Sequence, residues 1–418
     1  MKHLRLLSLC LALSTLLLSA LPLLMPALAQ ADAPIGVLSQ SVESRYRDSF
    51  VFRLTARSEV GKIIAARIIW RVRSFSANLA YRVEVEQPAA QVDLEYVWEL
   101  RTQTMPPWQV IFYRWELIDD QGNRHRTPEV KAEISDSTRA WQMLSDGKVS
   151  VYWYERDAAF GKALLDVARR GFDHTVRASG FTPEDELRVV VFNSQADFCT
   201  IYGAFGCQSW IGGVAIGSIT LGWLDEGRAV DIPNCDAACR AEVAANRQRW
   251  FFNQLIPHEL AHAFLNYWMG SRTSAIPIWF NEGQAVNNEL EGLAEEINRV
   301  RVLARTGQLE RLAVMDARTI IGRNDLPRVR DWYAQAASLV AFLYERWGLE
   351  SLGAIIRLVN DGKTFETALR AVTRLSLDEY EIAWREWLGL REIPPTFAPT
   401  PTLFFFPTPT HEPMPRRP

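Results

Sequence analysis

The sequence predicts an α+β protein: an N-terminal antiparallel β-sandwich, then a mixed sheet followed by a run of helices. Three observations carry this. From about Ile35 to Ile134, apolar and polar residues alternate with period two. After Asp136 the apolar spacing turns helical, broken by short apolar strands. Beyond about Ala237 almost every periodic segment reads as helix. The 418 residues, 48% hydrophobic and 23% charged, give enough length for two or three domains. A formal net charge of −3 shows neither the basic excess of a nucleic-acid partner nor the acidic excess of a solvating tail.

The first thirty residues stand apart. Lys2, His3 and Arg5 make a short positive start, and an apolar run from Leu6 to Leu24 follows. Ala27-Leu28-Ala29 offers the small residues that a signal peptidase reads, so cleavage after about Ala29 is expected. The alternative is an uncleaved anchor, since the run is long enough to span a membrane. Pro22 and the Ala-Leu-Ala site favour cleavage, and Leu9 before Cys10 is a poor fit to a lipid-attachment site. The mature chain is expected to be secreted or otherwise extracytoplasmic. Export permits disulfides among Cys199, Cys207, Cys235 and Cys239. Three pairings are open, with local pairs Cys199–Cys207 and Cys235–Cys239 stapling two loops. A four-cysteine zinc site is the alternative, but the spacings contain no CxxC.

Residues 30–135 hold the expected sandwich. "SFVFRLTARS", "IIAARIIWRVRS", "NLAYRVEVEQ", "VDLEYVWELRT" and "WQVIFYRWELID" alternate, separated by turn signals such as Asp120-Gln121-Gly122-Asn123. His125 stands alone between arginines and reads as a solvated strand or turn residue. Residues 136–392 form the second expected domain. "VSVYWYE" is a strand, "FGKALLDVARRGFDHTVRASG" a helix ending at Gly180, and "LRVVVFNS" a buried strand. "WIGGVAIGSITLGW" reads as an edge strand with its turn. Helices are expected at about Ala237 to Met269, Asn281 to Arg305, Trp332 to Trp347, Leu352 to Asn360, Thr364 to Arg374 and Leu377 to Leu388. The tail, residues 393–418, is rich in proline and threonine and is expected to be extended and poorly packed.

Chemistry concentrates in "IPHELAHAFLNYW", Ile256 to Trp268. Residues four apart share a helical face, so His258 and His262 can offer imidazole nitrogens to one metal. Glu259 sits beside the first, placed to hold a water as general base without ligating. The apolar surroundings imply a buried helix, where unpartnered histidines and a glutamate would be costly; a metal resolves that cost. Pro257 lacks an N–H, so the helix is expected to start or kink there. A catalytic zinc needs a third protein ligand and an open position. "PIWFNEGQA" supplies Glu282, which follows His262 after nineteen intervening residues. Small Gly283 and Ala285 would let its helix come close enough for Glu282 to reach the metal. Read by itself, Asn281 would be a helix cap with Glu282 in the first turn.

"HELAH" followed by "WFNEGQA" resembles the signature of the gluzincin, or MA-clan, metallopeptidases, which include thermolysin and the zinc aminopeptidases. The text from about Asp136 to Leu390 looks closest to the bacterial exported peptidase MA-like domains, with "YAQAASLVAFLYERWG" and "FETALRAV…LDEYEIAWREWL" as further points of likeness. The resemblance implies a thermolysin-like zincin fold and one Zn2+ per chain on His258, His262 and Glu282. It implies peptide hydrolysis by a zinc-activated water, with Glu259 as base and a peptide or protein as substrate. It also implies Tyr333 as the residue that hydrogen-bonds the oxyanion, Glu289 as a carboxylate orienting a ligating histidine, and Gly212, Gly213, Val214 and Ala215 as the substrate edge strand. Glycines there let a peptide backbone come close. The chain has no GxMEN motif, the aminopeptidase signature that captures a free amino terminus. Two other functions fit the same residues: an exported binding or adhesion protein with a structural or inactive metal site, and a zinc hydrolase of a non-peptide bond.

Overall fold

The computed structural model describes residues 34–72, 77–205, 207, 211–225, 235–315 and 326–390. The expected signal segment, with Cys10, and the Pro/Thr tail lie outside the described residues. In chain order the first strands are β1 (Ile35–Arg45), β2 (Ser49–Ser58), β3 (Ile63–Arg71), β4 (Leu79–Val83), β5 (Gln91–Glu99), β6 (Gln109–Asp119), β7 (Arg124–Arg126) and β8 (Val130–Ile134). They form two antiparallel sheets, ordered β1-β2-β5 and β4-β3-β6-β7, with β8 pairing β6. Alternation explains the packing: along β6 every second residue is buried, Ile111, Tyr113, Trp115 and Leu117 among them. These meet Phe50, Phe52 and Leu54 of β2 and Trp98 of β5 in one core between the sheets, which makes the expected sandwich. His125 is half-buried in β7, where it pairs with Leu117.

A third sheet follows, built from β9 (Gln142–Ser145), β10 (Val149–Trp153), β11 (Leu187–Phe192), β12 (Gly213–Ile216) and β13 (Ile219–Trp223) in the order β12-β13-β11-β10-β9. β10, β11 and β13 are parallel, while β9 and β12 run antiparallel at the edges. The crossover from β10 to β11 is α1 (Ala158–Ser179), capped by Asp157 and closed by Gly180 at φ 62°. Between β11 and β12 lies α2 (Gln195–Cys199), which runs into a 3-10 turn, Thr200–Phe205. One sheet face packs on α1 through Val149, Val189 and Leu164; the other packs on Phe198 and Ile201.

Then come α3 (Ala237–Trp250), a π turn (Phe251–Leu255), α4 (Ile256–Met269), α5 (Ile278–Asn287), α6 (Leu293–Thr306), α7 (Leu326–Trp347), α8 (Ser351–Asn360), α9 (Phe365–Thr373) and α10 (Leu377–Trp387). α5 and α7 to α10 share a separate core around Phe280, Trp332, Phe342, Tyr380 and Trp384. One expectation needs correcting. Asn281 to Arg305 is not one helix: it breaks after Asn287, because Gly292 takes φ 100° and turns the chain into α6. As expected, Pro257 marks a helix start: α4 begins at Ile256 with Pro257 in its first turn, where a missing N–H is tolerated. The π turn joins α4 directly to α3. The cysteines form the two local disulfides, Cys199–Cys207 and Cys235–Cys239. Among the described residues no helix is long and apolar enough to cross a membrane.

Candidate metal centre

α4 is apolar nearly all round, and Leu260, Ala261, Phe264 and Leu265 are buried. It is anchored between the mixed sheet and α5, so its polar residues have fixed directions. His258 Nε2 and His262 Nε2 stand 3.3 Å apart. Glu282 Oε2, from the second turn of α5, lies 3.4 Å from the first and 3.3 Å from the second. The three atoms form a nearly equilateral triangle. A tetrahedral zinc bound at about 2.0–2.1 Å holds its ligand atoms about 3.3 Å apart, so the triangle matches three corners of that site. Among the described residues this is the one group of three or more such side chains arranged to hold a metal.

The far nitrogen of each ring is held as well. His258 Nδ1 is 3.0 Å from Glu289 Oε1, and His262 Nδ1 is 3.0 Å from Asn281 Oδ1. With Nδ1–H donating to these oxygens, both Nε2 atoms keep a lone pair aimed at the triangle's centre. Glu289 lies beyond α5, which ends at Asn287; the turn after the helix brings its carboxylate to His258. Asn281 is not a cap: Pro277 takes that position and Asn281 lies within α5. Its role is not visible in the sequence, although its place next to Glu282 is the available signal. Asn288 was likewise missed. Its Nδ2 donates to Pro257 O at 2.7 Å, and its Oδ1 accepts from Thr175 Oγ1 at 2.9 Å and lies 2.8 Å from His174 Nδ1. It ties the start of α4 to α1 and to the end of α5. The signal for it is a pair of poor helix formers, Asn287-Asn288, inside an otherwise helical pattern.

Gly283 works differently from the expectation. A Cβ there would lie on the Ala336 carbonyl oxygen and 2.7 Å from Val340 Cγ2. Its smallness lets α5 approach α7, not α4. That contact brings Tyr333 to the site, where its ring centroid is 6.2 Å from that of His258.

The electrostatics fit a cation. Burial raises the Glu259 carboxyl, although His258 and His262 pull it back. Burial would raise Glu282 too, but His262 and His258 hold it well below the usual carboxylate range. Burial works against charging His258, yet Glu282 and Glu289 outweigh it and raise its pKa. Burial also raises the Tyr333 phenol well above its ordinary value, with Glu282 and Glu259 adding to it. Glu259, Glu282 and Glu289 thus surround two imidazoles in a place where unpaired charge is expensive, and a divalent ion offsets that cost.

The edge strand passes beside Glu259. A Cβ on Gly213 would be 2.9 Å from Glu259 Cγ and 2.9 Å from Leu221 O. Val214 and Ala215 lie in β12, and Gly212 immediately precedes it. Among the described residues β12 pairs with β13 on one side only. Tyr202, in the 3-10 turn after α2, was not singled out from sequence. Burial pushes its phenol up to about 12, and Glu259 contributes to the rise.

Solved structures similar to this chain include an M1 zinc metallopeptidase from Deinococcus radiodurans, at 15% identity over 83% of this chain and 90% of that one, with a TM-score of 0.35. An aminopeptidase N family protein from Idiomarina loihiensis matches at 10% identity over 78% of this chain and 71% of its own, with a TM-score of 0.36. The sulfane dehydrogenase SoxCD from Paracoccus pantotrophus matches at 13% identity over 19% of this chain and 18% of its own, with a TM-score of 0.14. No curated protein matches. The family model for the Peptidase MA superfamily matches residues 174–389, more than half of the 418, and takes in α4, α5 and α7 with all of the residues above; the chain belongs to that superfamily.

Proposed function

We propose that the protein is an exported zinc metallopeptidase that hydrolyses peptide bonds. The observation that supports this best is the 3.3–3.4 Å triangle of two Nε2 atoms and one carboxylate oxygen, with the Glu259 carboxyl beside it. In this reading His258, His262 and Glu282 hold the ion. Zinc bound there supplies a Lewis acid and makes water a usable nucleophile near neutral pH. Glu259 takes one proton from the attacking water as its oxygen bonds the carbonyl carbon. As the C–N bond breaks, Glu259 passes that proton to the leaving amine. Tyr333 turns its hydroxyl to the oxygen that gains negative charge, which a preorganised donor stabilises.

The peptide adds a strand along the free edge of β12, where Gly212 and Gly213 admit its backbone. Residues 30–135 act as a separate sandwich domain that positions the enzyme, and residues 136–392 form the peptidase domain. The two disulfides favour an oxidising compartment and so support export. The test is Glu259→Gln in the full chain. It should bind one zinc per chain like wild type while peptide cleavage falls by about 10²–10⁴-fold. Undiminished cleavage by Glu259→Gln would sink the mechanism, and wild type that binds no zinc at neutral pH would favour a binding protein instead.

A further inference from the structure

Trp250 is the last residue of α3, a helix with no buried residue, and it is 41% exposed. It fills no core, yet it does not simply project into solvent. A Cβ on Gly212 would come within 2.6 Å of Trp250 Cη2 and 3.6 Å of Leu255 Cδ1. The next residue, Gly213, has the same relation to Leu255, at 3.0 Å, and to Glu259 Cγ, at 2.9 Å. Two consecutive glycines therefore pass over a row formed by Trp250, Leu255 and Glu259.

The row exists because of the π turn. Trp250 lies nine positions before Glu259. In an unbroken α-helix that is about 900° of rotation, which puts the two on opposite sides. The π turn Phe251–Leu255 absorbs one extra residue and takes back about 100°, carrying Trp250 round towards the strand. The opposite wall is fixed: Trp223 N donates to Gly212 O at 3.3 Å, and Trp223 Nε1 donates to Ile211 O at 2.8 Å. The approach to Glu259 along β12 thus passes the part-exposed indole of Trp250.

We propose that Trp250 is a specificity residue that receives a large flat apolar side chain, Trp, Phe or Tyr, from the peptide. This rests on the peptidase reading for the peptide's course along β12. Side chains of an added strand alternate, so one side chain near the reacting bond turns towards α4 at Gly212 and meets the Trp250 ring. Ring–ring packing and desolvation there favour an aromatic residue about tenfold over alanine.

The experiment separates binding from cleavage. Peptides with an alanine–serine frame carry one Trp, Phe or Ala at each successive position. Their binding to full-length, zinc-loaded Glu259→Gln is measured by fluorescence polarisation. One position should favour the aromatic residues about tenfold. Adding Trp250→Ala should reduce that preference to within twofold, and Trp250→Phe should restore most of it. Gly212→Ala, whose methyl displaces the ring, should weaken it as well. No preferred position, or a preference unchanged by Trp250→Ala with zinc content and circular dichroism intact, overturns the inference. Cleavage of the same peptides by wild type is scored separately. Peptides bound with this preference but left uncut by wild type would overturn the peptidase reading and leave the aromatic subsite standing.

Discussion

Asn281 and Glu289 each hold one of the two histidine rings of the candidate metal site. Each fixes a ring from behind, one with an amide oxygen and one with a carboxylate, and so commits Nε2 to the front. Loss of such a partner typically costs 10–100-fold in metal affinity. We expect Asn281→Ala and Glu289→Gln each to weaken zinc binding by about that factor, measured by competition against a chelator. The melting temperature of the metal-free protein should change little by comparison. Equal zinc affinity in both variants would mean the rings are held by packing alone. The histidine pair was legible because a four-residue spacing on a helix is a local fact, true before any tertiary structure forms. Their partners were not. In the sequence Asn281 reads as a cap, but Pro277 caps α5 and Asn281 lies inside it. Glu289 lies beyond the end of α5 and reaches His258 through the turn that follows. Tyr202 comes from a segment some sixty residues upstream of Glu259 and meets it only through the fold.

At the scale of elements, the site depends on how closely α5 can lie against α7. Gly283 marks the contact, because any side chain there would meet the backbone of α7 at Ala336, which has no rotamer to yield. Asn287 reinforces it by donating to Gly283 O at 2.7 Å and to Ala337 O at 2.8 Å. Gly283→Ala should therefore destabilise the fold by about 1–3 kcal/mol, as overpacking does, despite the gain in helix propensity. Because Glu282 is the adjacent residue, the same substitution should lower zinc affinity. Thermal melting with and without zinc checks both effects. A variant as stable as wild type, with unchanged zinc affinity, would show that α5 is free to shift. The order and type of the long elements were readable from periodicity, including β2, β6, α1 and α10. The break at Asn288–Gly292 was not, since helix-forming residues resume on either side and only the positive φ of Gly292 turns the chain. The π turn was equally hidden. It has no local composition signal, and its consequence, the placing of Trp250, is a matter of accumulated rotation.

At the scale of the whole molecule, the sandwich core and the cores of the mixed sheet are built from different buried residues, so the junction between them carries the coupling. That junction centres on Arg188 of β11. Its guanidinium donates both to the Glu133 carboxylate of β8 and to the Trp108 carbonyl oxygen just before β6. The Trp108 ring stacks on Tyr152 of β10, with centroids 4.8 Å apart, and Trp141 meets it edge-on at 6.0 Å. Trp108 holds φ at 64°, a conformation uncommon for a side-chain-bearing residue, which here aims the ring across the junction. None of this could be read from "LRVVVF", where the arginine looks like one polar residue in a buried strand; its partners lie 55 and 80 positions earlier. Arg188→Ala removes the donor from a carboxylate and a carbonyl that are only partly exposed, so it should cost about 1–3 kcal/mol. The loss should not be spread evenly. With two separate cores and a weakened link, calorimetry should show two unfolding transitions, one for the sandwich and one for the rest, where wild type is expected to show one. Zinc should raise only the second, because a ligand stabilises the unit that binds it. If Arg188→Ala still unfolds in one transition that zinc shifts as a whole, the cores are coupled by more than this junction, and the sandwich is part of the folding unit that holds the metal.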